Sequence, residues 1–353
     1  MHEADFYEKL EGLRVRCNLC SHRCEIAPDR RGTCGVRENR SGTLFSLAYG
    51  RLISCAADPI EKKPLHHFLP GTASWSVATV GCNLRCDFCQ NWEISQHRPK
   101  GELPGLSMTP EEVVEEALDR GCASISYTYT EPTVFFEFAR DTARLARQRG
   151  LANVFVTNGY QTPETVEAMK GLIDAANVDL KGFTDEFYRT HCGARLQPVL
   201  DSIRAMCRAG IHVEVTTLVI PGRNDSSEEL RGIARFLAGI SPDLPWHVSR
   251  FHPDYKATDL DWTPGATIEM AVRIGREAGL RYVYAGNMPS GSSDTVCPGC
   301  GKVVVARRGF HSKVVALEPS GRPVEGLAMP PHSTGARCAS CARELPVVLP
   351  APG

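Results

Sequence analysis

From residue 74 to 288 the chain alternates between two textures. Short runs of apolar, β-branched and aromatic residues give way to longer stretches in which apolar positions recur every three or four residues. The first pattern predicts strands and the second amphipathic helices. Seven runs read as strands: SWSVATV (74–80), ASISYTYT (123–130), NVFVTNG (153–159), ANVDLKG (176–182), HVEVTTLVI (212–220), WHVSRFH (246–252) and RYVYAGN (281–287). Helix starts fall between them. Thr109-Pro110-Glu111-Glu112 combines an N-cap, a proline at the first helical position and a capping-box glutamate, Ser226 and Glu229 repeat the box, and Thr162-Pro163 supplies cap and proline. Strands alternating with helices predict a parallel sheet. Six or seven βα units in this stretch fit a partial or full parallel barrel better than an open doubly wound sheet. The expected architecture is α/β, a partial parallel (β/α)6 TIM-type barrel over 74–289. A cysteine-rich extension (1–73) precedes it and a zinc-ribbon-like tail (290–353) follows.

Polar residues gather where such folds build their sites. Glu131, Asn158, Lys181, the Pro221-Gly222 pair and His252 lie at the C-terminal ends of predicted strands. No GxGxxG follows a strand and no GxxxxGK occurs, so dinucleotide and P-loop chemistry are excluded. A formal net charge of -1 lacks the footprint of a nucleic-acid binder. The opening MHEADFYEKLEGL is acidic and amphipathic, unlike a signal peptide. No apolar run approaches the ~18 residues of a membrane span. A cytoplasmic location is expected.

In a cytoplasmic chain, 15 cysteines point to metal ligands or free thiols rather than disulfides. Cys17, Cys20, Cys24 and Cys34 fall together, then Cys82, Cys86 and Cys89, and finally Cys297 and Cys300 with Cys338 and Cys341. Cys55, Cys122, Cys192 and Cys207 stand alone and read as small buried hydrophobes. The middle set, in GCNLRCDFCQN, is one ligand short. Four thiolates saturate a cluster and leave it little but electron transfer, whereas three leave one iron open. The loop follows the first core strand, which puts that opening at the mouth of the sheet. The competing reading is a zinc knuckle with a remote fourth ligand such as His97.

The CxxxCxxC loop, on this strand pattern, resembles that of the radical SAM superfamily. There it binds a [4Fe-4S] cluster chelated at the open iron by S-adenosylmethionine. The segments TYTEPT (128–133), TNG (157–159), DLKG (179–182), VIPGRND (219–225) and RFHPDYK (250–256) resemble the glycyl-radical-activase branch typified by the pyruvate formate-lyase activating enzyme. With DPIEKKPLHHFLPG, GCNLRCDFCQNWEISQ and YVYAGN added, the whole chain is similar to the AmmeMemoRadiSam-system radical SAM enzymes. The resemblance implies that Cys82, Cys86 and Cys89 ligate the cluster. It aligns Thr128–Pro132 with the family's Gly-Gly-Glu-Pro stretch, so that Glu131 holds the methionine amino group. It places Asn158 beside the cofactor, with Val156 where the activases carry an aspartate. Asp179 and Lys181 match the activase DLK, and His252 a strand-end histidine near the nucleoside. The implied reaction is reductive cleavage of the sulfonium to a 5'-deoxyadenosyl radical that takes hydrogen from a substrate, leaving positioning and water exclusion to the protein.

Each flanking set brings four cysteines. Cys17, Cys20, Cys24 and Cys34 can close a zinc or an auxiliary iron-sulfur cluster, with His22 as a substitute ligand; spacing leaves both open. CPGCGK (297–302) has the glycine turn of a zinc knuckle, and CASC (338–341) completes a set that favours zinc. The intervening LEPSGRPVEGLAMPPHSTG reads as a loop insertion. Expected partners are S-adenosylmethionine, an electron donor such as flavodoxin or ferredoxin, and a protein or peptide substrate, with no membrane and no nucleic acid. A small-molecule or nucleic-acid substrate is the alternative within the same chemistry. A non-catalytic iron-sulfur or zinc protein, serving electron transfer or as a scaffold, is the alternative outside it.

Overall fold

The computed structural model describes residues 1–96, 101–288 and 293–351. Its centre is an eight-stranded sheet. In chain order the strands are β1 (Ser54–Pro59), β2 (Ala73–Ala78), β3 (Ser124–Tyr127), β4 (Ala152–Thr157), β5 (Ala175–Asp179), β6 (His212–Val219), β7 (Trp246–Arg250) and β8 (Val283–Gly286). Strands β2 to β8 lie side by side in sequence order and pair in parallel, while β1 pairs antiparallel with β2 at the edge. The helices of the crossovers are α1 (Pro110–Asp119), α2 (Phe136–Gln148), α3 (Pro163–Met169), α4 (Leu196–Arg208), α5 (Ser227–Ile240) and α6 (Gly265–Glu277). Thus all seven predicted strands form, joined by six helical crossovers.

The caps follow the sequence with one difference. Thr109 and Glu112 form the full reciprocal box. Ser226 accepts from the Glu229 amide, but the Glu229 carboxylate accepts from the Phe183 amide at 2.6 Å instead of reaching back. It thereby ties α5 to the turn after β5.

Period-two alternation gives the sheet two unlike faces. On β6, Val213, Val215 and Val219 belong to the main core, whereas Glu214 faces a set of histidines. The segment 60–69 occupies that polar side beneath the strand ends. Glu214, with no exposed surface, accepts from the amides of His66 (3.0 Å) and His67 (2.7 Å) and pairs with His212 Nε2 (3.1 Å) and His247 Nε2 (2.6 Å). The tail clamps the same segment. Arg307 donates to the His66 carbonyl, His67 Nδ1 meets the Pro346 carbonyl at 3.1 Å, and Phe68 bridges to Val348.

The segment before residue 74 is joined to the sheet and to its core. β1 is hydrogen-bonded along the whole of β2, and Val15, Leu19, Val36 and Leu44 share one apolar core with the helices that cover the sheet. The tail insertion is not all loop. Leu317–Pro319 and Ser333–Cys338 are paired strands, and irregular backbone is confined to 320–332.

Candidate active site

The chain leaves β2 through Gly81 (φ 96°). A Cβ there would sit 2.7 Å from Val36 Cγ1 and 2.9 Å from the Cys34 carbonyl oxygen, so only glycine lets the loop pass this close to the N-terminal segment. Cys82, Cys86 and Cys89 then line a cleft of about 410 Å³ at the C-terminal ends of the strands. Glu131, Asn158, Asp179 and Lys181 line the same cleft. The Leu84 amide points at Cys82 Sγ (3.4 Å), as does Asn158 Nδ2 (3.7 Å), and Cys89 Sγ meets Ser95 Oγ at 3.1 Å. Burial pushes the Cys82 and Cys89 thiols up. Cys86 goes the other way: a hydrogen bond from Cys192 holds it below the usual thiol value against its burial, and the Lys181 charge adds to the effect. Cys192, read from sequence as an inert hydrophobe, is thus a neighbour of the loop. It sits at the end of a π-helical turn, Tyr188–Cys192, whose last carbonyl accepts from the Arg85 amide at 2.8 Å.

Glu131 is 1% exposed, and its carboxylate is saturated on one oxygen only. Oε1 accepts from the Thr133 amide (3.0 Å), the Thr133 hydroxyl and the Thr157 hydroxyl (2.7 Å). Oε2 accepts only from the Asn158 amide (2.8 Å) among the described residues. A carboxylate offers about four lone-pair sites, two on each oxygen, so Oε2 retains one. Burial pushes this carboxyl up, and the four donors oppose the shift. Asn158 in turn fixes the loop: its Nδ2 donates to Asn83 Oδ1 at 2.7 Å while its Oδ1 accepts from the Tyr160 amide at 3.0 Å.

The turn that delivers Glu131 is unusual. Thr130 N–H donates to the Thr128 carbonyl at 2.7 Å across Tyr129, whose φ is 62°, making a γ-turn with a tyrosine where glycine is easiest. Remote groups hold it there. The Tyr129 hydroxyl donates to Asp58, Lys63 Nζ lies 4.5 Å over its ring, and Asn91 Nδ2 donates to its carbonyl at 2.9 Å. Asp58 also accepts from Lys62, Lys63 and Ser76, and against its partial burial these donors hold its carboxyl well below the usual range.

Opposite, Lys181 Nζ pairs with Asp179 at 2.7 Å, and the buried atoms Asn177 Oδ1 and Thr216 Oγ1 have no partner among the described residues although both residues line the cleft. His252 is not brought in. It lies beyond the end of β7, its ring 5.4 Å from that of Trp262, and Ser249 and Asn287 line that side of the cleft instead. His97 lies outside the described residues.

A cleft with three convergent thiols at the strand ends is what the sequence led us to expect, and the profile of the radical SAM superfamily matches residues 76–237, the stretch that holds all three. The chain belongs to the radical SAM superfamily. An uncharacterized protein of Methanocaldococcus jannaschii is 45% identical over 351 residues, covering 99% of this chain and 100% of that one. The pyruvate formate-lyase-activating enzyme of Clostridium pasteurianum is 25% identical over 201 residues, covering 51% of this chain and 81% of its own length. Among solved structures, a domain of the pyruvate formate-lyase-activating enzyme from Bacteroides vulgatus aligns with a TM-score of 0.42 at 20% identity, covering 47% of this chain and 99% of that one. This radical SAM protein is therefore an enzyme related to the activating enzymes, and its cofactors are a [4Fe-4S] cluster and S-adenosylmethionine. No helix among the described residues is long and apolar enough to cross a membrane.

The flanking cysteines of this radical SAM chain form two unlike sites. Cys297, Cys300, Cys338 and Cys341 have all four sulfurs within 4.8 Å of one another, with Cys297–Cys341 at 3.6 Å and Cys300–Cys338 at 3.7 Å. A tetrahedral zinc with ~2.3 Å bonds asks for sulfurs about 3.8 Å apart, which this set meets. Cys17, Cys20, Cys24 and Cys34 instead stand around a small cavity. His22 turns away from them, its Nε2 on the Asn83 carbonyl at 2.7 Å.

Proposed function

We propose that this enzyme takes a hydrogen atom from a protein or peptide substrate, in the manner of a glycyl-radical activase. The observation that carries the reading is the coincidence, in one cleft, of three thiols with a buried carboxylate that keeps one free lone pair. Bound there, the cluster and S-adenosylmethionine supply reductive cleavage and the 5'-deoxyadenosyl radical. On this reading Cys82, Cys86 and Cys89 ligate the cluster and leave one iron for the methionine. Glu131 Oε2 takes the methionine ammonium with its remaining lone pair, and Asn158 holds the loop and the carboxylate in register. Lys181, paired with Asp179 and close to Cys86, offsets negative charge at the loop. Thr216 and Asn177, with unpartnered buried oxygens, supply polar contacts deeper in the cleft. We assign His252 no contact. The parallel sheet, with only β1 beyond β2 and nothing paired beyond β8 among the described residues, reads as a partial barrel whose open side admits a large substrate.

A protein substrate is supported by relatives named as activating enzymes, including that of benzylsuccinate synthase in Thauera aromatica at 28% identity over 142 residues. A cytoplasmic location and a flavodoxin- or ferredoxin-like donor belong to the same proposal, as does zinc in the tail. The test is anaerobic: reconstituted protein, S-adenosylmethionine and dithionite should yield 5'-deoxyadenosine, and Cys86→Ala should abolish it. No deoxyadenosine from protein with an intact cluster overturns the reading. Deuterium passing from an added labelled protein into deoxyadenosine identifies the substrate.

A further inference from the structure

We propose that Cys17, Cys20, Cys24 and Cys34 hold a second, coordinatively saturated [4Fe-4S] cluster rather than a zinc ion. The four thiols come from a strand (Val15–Cys17), the turn after it and the segment leading to Arg37, and all wall one cavity.

Sulfur separation distinguishes the two metals. One zinc draws four sulfurs together; a cubane binds each thiolate to a different iron and keeps them apart. Among the described residues, only the tail set has its ligand atoms all within 4.8 Å. The N-terminal thiols are more widely spread and enclose a void of about 20 Å³. The Cys82, Cys86 and Cys89 loop is spread in the same way, a comparison that rests on the cluster reading proposed above for that loop.

The cavity wall is matched to a charged, sulfur-rich occupant. Leu19, Ile26 and Val134 give it an apolar lining. Arg37 also lines it, is 2% exposed and binds Glu137 through both terminal nitrogens, yet its buried Nε has no partner among the described residues. A thiolate or sulfide in the cavity would accept from that N–H. Cys24 Sγ stands 3.3 Å from Thr33 Oγ1, a hydroxyl able to donate to the same sulfur once it is a thiolate. With four cysteine ligands this cluster has no open iron and binds no S-adenosylmethionine. Its place fits electron transfer: the Cys34 carbonyl abuts Gly81, one residue before Cys82, and Thr133 lines the cavity while donating to Glu131.

Full-length protein reconstituted anaerobically with iron and sulfide should carry about eight irons and one zinc per chain, four irons for each cubane. The variant Cys82→Ala/Cys86→Ala/Cys89→Ala should retain about four irons, with cluster absorption and a Mössbauer spectrum of a four-thiolate cubane. Cys20→Ser/Cys24→Ser should lose the complementary half. A loop variant that holds no iron overturns the proposal, and two zincs in it would assign zinc to the N-terminal set. Wild type with half the expected iron, all of it retained by the loop variant, would instead sustain this cluster and overturn the loop assignment. The loop variant leaves the N-terminal set untouched, so its iron content decides the matter even where Cys20→Ser/Cys24→Ser misfolds.

Discussion

Glu131→Gln separates a binding carboxylate from a structural one. The geometry dictates how the amide must sit. Oε1 receives three donors, so the new carbonyl oxygen belongs there and the NH2 replaces Oε2. That places a donor against the Asn158 amide, which now donates to Oε2 at 2.8 Å. The buried N–H loses its acceptor, a cost of about 1–3 kcal/mol. At ~2–4 °C per kcal/mol for a chain somewhat smaller than this one, melting should fall by several degrees. A stability loss is expected under either role.

The two roles part on ligand binding. If Oε2 accepts from the methionine ammonium, the substitution removes a charge-assisted bond worth about 1.5–3 kcal/mol. At ~1.4 kcal/mol per decade, S-adenosylmethionine should bind roughly 10- to 150-fold more weakly. Anaerobic calorimetric titration of the reconstituted protein reads this directly, with iron content and melting temperature as controls. A Kd within about threefold of wild type, on protein with full iron and a lowered melting temperature, would refute the assignment. Glu131 would then be a satisfied strand-end carboxylate and nothing more.

Three further perturbations test other parts of the site. Tyr129→Phe removes the hydroxyl that anchors the γ-turn to Asp58 while leaving the ring under Lys63, so we expect about 1–3 kcal/mol lower stability and slower deoxyadenosine formation; unchanged rates and melting would mean the anchor is idle. Cys192→Ala removes a donor to Cys86, and because hydrogen bonds to sulfur help set cluster potentials, the loop cluster should become harder to reduce, with Cys192→Ser restoring it; identical midpoint potentials in redox-titrated EPR would dismiss the contact. Acid should destabilise the fold through the polar set under the cleft. Burial holds His66 well below its usual value and His67 at about 3, so both stay neutral in the fold while the unfolded chain takes protons below ~6.5. Burial alone would raise Glu214, but its hydrogen bonds with His212 and His247 hold it well below the usual carboxylate range, so its contribution is lost only below about pH 4.3 and adds a second fall there. Melting temperature should drop from pH 7 to pH 5, and a flat or rising profile contradicts the network.

What was legible in the sequence was carried by neighbours along the chain. Period and caps gave all seven strands, since both are set by residues within one turn of each other. The cysteine loop was legible for the same reason. Illegible features join residues far apart. Glu214 shows in HVEVTTLVI as a charge within an apolar strand, but its partners at His66 and His67 lie 148 and 147 residues away. Tyr129 could not be expected to hold a positive φ without knowing that Asp58, 71 residues earlier, receives its hydroxyl. The strand β1 was not legible because a run such as SCAADP carries no period that marks it as a strand; its pairing to β2 makes it one. His252 shows the reverse case, a local motif at a strand end whose ring packs against Trp262.

The cysteines set the limit of such reading. Spacing counts the ligands, and it separated the three-thiol loop from the two four-thiol sets. It does not fix the distance between sulfurs, which depends on what packs behind each of them. In the tail, two turns closed by paired strands bring all four within 4.8 Å. At the N-terminus, Val134 and Arg37, itself paired with Glu137, line the cavity that the four thiols wall. Glu137 lies 100 residues from Arg37, on helix α2 against the sheet. On the proposal above, the metal at Cys17, Cys20, Cys24 and Cys34 is set by the helix packed behind the thiols as much as by the motif. Removing the Glu137 charge should show this: Glu137→Gln leaves Arg37 buried without its counter-ion, a loss of about 3–5 kcal/mol, and should lower iron retained by the Cys82→Ala/Cys86→Ala/Cys89→Ala protein while sparing the tail zinc.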